Sequence, residues 1–150
     1  MSIEEITNYR RVSDTLASSG QPTEAQFKDI ALAGFDVVIN LAMPNSDDAI
    51  PEEGGIVTAR KMTYVHLPVP FEAPTAEHLR SFFRLMAAFE GRRCWVHCVM
   101  NYRVSAFLYQ YFRQVHQVDD DQARSIMIAD WAPDEVWQAF MALERQDIGI

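Results

Sequence analysis

The residue types best suited to chemistry stand together in Trp95-Val96-His97-Cys98-Val99-Met100-Asn101-Tyr102-Arg103-Val104-Ser105. A cysteine thiolate is a strong nucleophile. An arginine five positions later offers a planar fork of donors that suits an oxyanion. If a strand ends at Cys98 and a helix starts just beyond it, unpaired N–H groups and the positive end of the helix dipole face the same point. A cysteine placed there favours its thiolate. Thiolate, amide cradle and arginine together describe nucleophilic attack on a phosphoester. The bland alternatives are a buried core thiol at Cys98 and a surface ion-pair residue at Arg103. Cys94, four residues earlier, reads as core.

The neighbouring sequence supplies the required elements. Arg93 to His97 is a short apolar run that reads as a core strand, and VSAFLYQYFRQVHQ after Arg103 is apolar nearly all round, as a buried helix would be. Short strands are expected near Tyr9 to Val12 and Leu16 to Ser18, followed by the turn chemistry of SGQPT. Thr23 caps a helix over Glu24 to Ala33, and Gly34 stops it. FDVVINLA, residues 35–42, reads as a buried parallel strand. Pro51 opens a weaker helix across Glu52 to Lys61, with Glu52 and Glu53 as a solvated start and a supporting role in the site as the lesser alternative. TYVHLPV, residues 63–69, is read as the middle strand, with a structural His66. Thr75 begins a helix without a full capping box, because His78 stands where Glu or Gln would close one. Two further helices are expected near 120–130 and 134–145. The alternation of strand and helix from residue 24 to 117 predicts an α/β fold. Its mainly parallel sheet has four or five strands and helices on both faces, in a single domain over residues 1–150.

The chain has 150 residues and a net charge of −8, which opposes nucleic-acid binding at long range. A local anion site survives such a charge, because fixed backbone dipoles act at short range. No apolar run reaches the length of a membrane span, and the polar start MSIEEITNYRR lacks the pattern of a secretory signal. The expectation is a cytoplasmic protein without a membrane partner. Two cysteines without a CxxC pair argue against a zinc knuckle or a disulfide framework.

The order strand, cysteine, loop, arginine, helix resembles the protein tyrosine phosphatase superfamily, in its compact dual-specificity-like branch. SGQPT, VINLA, YVHLPV, APT before a helix and VHC…NYRVSAF resemble a bacterial group of predicted phosphatases. That group is related to the phosphatase-like domain found beside beta-lactamase-like hydrolases. The likeness runs from about residue 5 to residue 117. It implies a phosphoric monoester hydrolase in which Cys98 attacks phosphorus and forms a phosphocysteine. Val99, Met100, Asn101, Tyr102 and Arg103 would bind the phosphoryl oxygens with Cys98. His97 would support the loop and the thiolate, and Ser105 would help release the thiolate. The implied partner is a phosphorylated substrate, phosphotyrosine or a related ester, or an inorganic oxyanion. No metal and no organic cofactor is implied.

The loop departs from the superfamily pattern of cysteine, five residues, arginine, then serine or threonine. Only four residues separate Cys98 from Arg103, and the loop has no glycine. Without a gap, Asn101 takes the glycine position and Ser105 keeps its place, while Arg103 is rotated by about 100° from the usual arginine. With a one-residue deletion, Arg103 keeps its place and the loop loses an amide. Both registers stay open. The usual aspartate acid is also missing after YVHLPV, which leaves Glu72 as the nearest carboxylate, with Asp130 and Asp134 as further candidates. These departures equally suit a pseudophosphatase that binds phosphate or phosphoprotein groups without hydrolysing them. A sulfurtransferase or an arsenate reductase is a third reading.

Overall fold

The structure is a computed structural model and describes residues 2–150. Five strands form its sheet: β1 (Arg10–Ser13), β2 (Leu16–Ser19), β3 (Val37–Asn40), β4 (Thr63–His66) and β5 (Cys94–His97), in the order β1-β2-β5-β3-β4. β1 pairs antiparallel with β2, and the other pairings are parallel. The helices are α1 (Glu24–Leu32), α2 (Glu53–Ala59), α3 (Ala76–Ala88), α4 (Tyr102–Gln114), α5 (Asp120–Ser125), α6 (Glu135–Met141) and α7 (Arg145–Ile148). The α/β fold with a mainly parallel sheet is as expected.

β5 is the central strand and all four of its residues are buried. The strand carrying His66 is therefore not the middle one; β4 lies at the sheet edge, half-exposed. Thr63 and His66 are exposed at its ends, while Tyr64 and Val65 are half-buried against opposite faces of the sheet.

Side chains alternate across each strand, so the sheet feeds two cores. Leu16, Val37, Ile39, Cys94 and Val96 face the α3, α4 and α6 side, against Phe82, Phe107 and Trp137. Ala17, Val38 and Trp95 face the other side, against Phe27, Ile30 and Val57 of α1 and α2. His97 shares the face of Trp95, which aims it at α2.

Two local expectations are corrected. Thr75 and His78 do form a capping box: the Thr75 hydroxyl accepts from the His78 N–H at 3.1 Å, and His78 Nδ1 accepts from the Thr75 N–H at 3.1 Å. An unprotonated imidazole nitrogen supplies the acceptor that glutamate usually brings. Glu53 is also no solvated helix start, being buried at 3% exposure. The chain's last helical segment is split, with α7 following α6 as a separate turn.

Candidate active site

Cys98 follows β5 directly, and its N–H donates to the Ser19 carbonyl at 3.3 Å. The loop that follows is pinned to the end of β2 and to the N-terminal segment. Gln21 N–H donates to the Val99 carbonyl at 2.9 Å, and Asn8 Nδ2 donates to the Met100 carbonyl at 2.9 Å. Gly20 makes this approach possible. A Cβ there would lie 2.4 Å from the Val99 oxygen, closer than any side chain tolerates.

Asn101 adopts the left-handed conformation, with φ of 70°, and is the residue before α4. Its side chain donates to the Asn8 carbonyl at 2.9 Å and to Ser18 Oγ at 3.1 Å. Asparagine is one of the few non-glycine residues that reaches this conformation at modest cost. Val104 is fully buried in the core. The Ser105 hydroxyl donates to Asn101 Oδ1 at 3.3 Å and accepts from the Ile128 N–H at 3.1 Å.

Arg103 turns toward the segment that follows β4. It is 6% exposed, and its Nη1 donates to the Val69 carbonyl at 3.0 Å. Its guanidinium lies 5.6 Å from the centre of the Phe71 ring. Its Nε is buried and has no hydrogen-bond partner among the described residues. An arginine held this way keeps unused donor capacity.

A cleft of about 510 Å³ opens at this end of the sheet. Cys98, Val99, Met100, Tyr102 and Arg103 form its floor and one side, and Glu72 and Phe71 contribute from the loop after β4. Of the residues singled out in the sequence, these line the cleft, whereas His97, Asn101 and Ser105 stand behind it, buried. Asp134 is engaged elsewhere, capping α6 by accepting from the Trp137 N–H at 3.0 Å. Asp130 is exposed and does not line the cleft.

Aromatic rings pack around Tyr102 and Phe71 where these line the cleft. Tyr102 stacks on Trp131 with centroids 5.1 Å apart and planes 7° off parallel, and Phe71 lies 6.4 Å from Tyr102. Trp137 Nε1 donates to the Phe71 carbonyl at 2.8 Å. The segment from α5 to α6 thus braces the loop that carries Glu72.

Behind the loop, His97 is fully buried between two acceptors: Nε2 lies 2.6 Å from Glu53 Oε2, and Nδ1 lies 3.2 Å from the Cys98 carbonyl. Glu53 Oε1 accepts from Gln21 Nε2 at 2.7 Å. Burial pushes the Glu53 carboxyl up, but the hydrogen bond and charge of His97, with hydrogen bonds from Gln21 and Tyr64, hold it below the usual range. His97 thus ties the first turn of α2 to the start of the loop at Cys98. Tyr64 is itself pushed up to about 12, by burial first and then by the nearby Glu53, against the Asn40 hydrogen bond. Gly54 lets Tyr64 pack there, since a Cβ would meet its ring at 3.1 Å.

The sequence reading ranked a supporting role for Glu53 below a solvated helix start, and it missed Asp47. Glu53 had a usable trace: β5 alternation aims His97 at the α2 side, where a buried imidazole needs a partner. Asp47 lines the cleft from the loop after β3, together with Met43, Asn45 and Ser46. No spacing rule linked that loop to Cys98. Among the described residues, no cluster of three or more His, Cys, Asp or Glu side chains could hold a metal ion.

Residues 3–139 match the family described as a DSP-PTPase phosphatase fused to NAD+ kinase. The chain belongs to this phosphatase family. The crystal structure of a DUF442 protein from Shewanella putrefaciens CN-32, described as a candidate phosphatase, is 38% identical. It covers 93% of this chain and 91% of its own, with a TM-score of 0.84. Tk-PTP in its active form shares the fold at 19% identity and a TM-score of 0.76, with 89% of this chain and 93% of its own covered. A cysteine-to-serine variant of TpbA from P. aeruginosa, in complex with pTyr, shares it at 20% identity and 0.66, with 85% and 74% covered. No curated protein sequence matches. The phosphatase resemblance read from SGQPT, VINLA and NYRVSAF is therefore correct at the level of family and fold. No helix is long and apolar enough to cross a membrane among the described residues.

Proposed function

We propose that the cleft hydrolyses phosphomonoesters through Cys98. The Cys98 thiolate attacks phosphorus, the bond from phosphorus to the leaving oxygen breaks, and Glu72 delivers a proton to that oxygen. Water then attacks the phosphocysteine, releasing phosphate and the thiolate. Arg103 and the amides from Val99 to Tyr102 take the charge that gathers on the phosphoryl oxygens. His97, held by Glu53, keeps the loop in place. Ser105 acts on the same loop through Asn101. Phosphotyrosine and related esters suit a cleft walled by Phe71 and Tyr102.

The observation that carries this reading is Arg103. Despite the short spacing, its side chain lines the same cleft as Cys98, buried and with a donor unused. The test is hydrolysis of an activated aryl phosphate from pH 5 to 8, with Cys98→Ser as control. Turnover absent from the control supports the reading; equal null rates sink it.

A second reading is a module that binds phosphoryl groups without turnover. What favours it is Ser105, whose hydroxyl bonds Asn101 and Ile128 instead of Cys98. Vanadate stabilising both proteins, with no turnover in either, would select that reading.

A further inference from the structure

The charges around the cleft are one-sided. Asp47 and Glu72 stand at its mouth, both exposed. The cleft adjoins a second hollow of about 500 Å³ through the shared residues Val99 and Met100, and that hollow adds Glu24 and Asp48. Among the described residues lining the two, Arg103 is the sole cation, and it lies buried on the floor. Its guanidinium keeps donor capacity beyond the bond to the Val69 carbonyl, and that capacity is what an anion in the cleft would meet. A single buried cation on the floor and three rim carboxylates besides the proton donor Glu72 make a site that reads two charges of opposite sign at once. A polyphosphorylated small molecule would set its extra phosphates against those carboxylates. The two adjoining hollows, of about 510 and 500 Å³, suit an extended segment with residues on both sides of its phosphate.

Resting on the phosphatase reading above, we propose that this cleft selects a phosphorylated peptide segment carrying Lys or Arg beside the phosphorylated residue. Arg103 and the loop amides take the phosphoryl group. Asp47, with Asp48 and Glu24 further along, meets the flanking cations. Like charges on an acidic flank would meet the same carboxylates and be turned away.

The test compares kcat/KM for two phosphotyrosine peptides of equal length, one flanked by Lys and Arg and one by Asp and Glu. At low ionic strength the basic peptide is expected to lead by about tenfold, the sum of a few exposed pairs. Raising salt to roughly 0.5 M should narrow that gap, since such pairs are screened. The Asp47→Asn/Asp48→Asn double variant should narrow it at low salt too. Equal kcat/KM for the two peptides, a preference for the acidic one, or a gap unchanged in the double variant would overturn the proposal. Absence of all phosphoester turnover would instead be a failure of the phosphatase reading. Peptide binding to Cys98→Ser then decides charge selection independently: tighter binding of the basic peptide supports it, and equal Kd values overturn it.

Discussion

Glu53 Oε2 sits 2.6 Å from His97 Nε2, joining the first turn of α2 to the end of β5 across 44 residues of chain. Both groups are almost wholly buried. A buried pair of this kind is costly to break, because the survivor stays buried without its partner. Glu53→Ala should therefore lower stability by about 3 to 5 kcal/mol, measured by chemical denaturation.

The same carboxylate makes acid sensitivity measurable. Its folded value lies below its ordinary 4.5. The stability it confers is thus complete above that ordinary value and is lost as pH falls through the lower, folded one. Denaturation midpoints of the wild type should drop across that window. Glu53→Gln, which cannot ionise, should show a shallower drop. Parallel acid curves for the two proteins would disprove this linkage.

Arg103→Ala should weaken vanadate or tungstate binding by about tenfold or more, since hydrogen bonds to charged groups contribute about 1.5 to 3 kcal/mol. Thermal shift with and without the oxyanion reads this directly. An unchanged shift would mean that the loop amides hold the anion without the guanidinium.

Gly20→Ala should damage the site from a distance. The new methyl would need the Val99 carbonyl to move, and that carbonyl is held by the Gln21 N–H. Overpacking of this kind costs about 1 to 3 kcal/mol. Both stability and oxyanion affinity should fall, and a variant indistinguishable from wild type in both would contradict the packing described here.

The two cysteines should differ in reactivity. Burial pushes the Cys94 thiol up to about 11, so it stays protonated at neutral pH. Cys98 lines the cleft. Iodoacetamide at pH 7 should give a single adduct at Cys98, located by peptide mass mapping. Adduct at Cys94 first would reverse the assignment of nucleophile and core thiol.

Much of this was open to reading along the chain. The helix after Thr75 and the buried helix after Arg103 follow from apolar spacing, and the strand before Cys98 follows from its β-branched and aromatic run. Those patterns are local and period-bound, so they survive without knowledge of neighbours. The loop after β3 shows the limit. Asp47 belongs to a polar stretch with no periodicity, and only the parallel pairing of β3 with β5 carries it to the cleft. The place of β4 at the edge was equally hidden, because strand order depends on crossovers and not on any strand's own residues.

By itself the sequence determined the family, the alternation of strand and helix, and the residues that could do the chemistry. It could not choose between two registers for Cys98 to Arg103, since each satisfies the local pattern. The tertiary structure decided how both ends of that loop are used. Asn101 takes the left-handed turn where glycine is usual, and Arg103 still reaches the cleft floor through its bond to Val69. The reason is physical: a backbone turn is set by the residue that makes it, whereas the direction of a long side chain is set by acceptors brought from elsewhere in the chain.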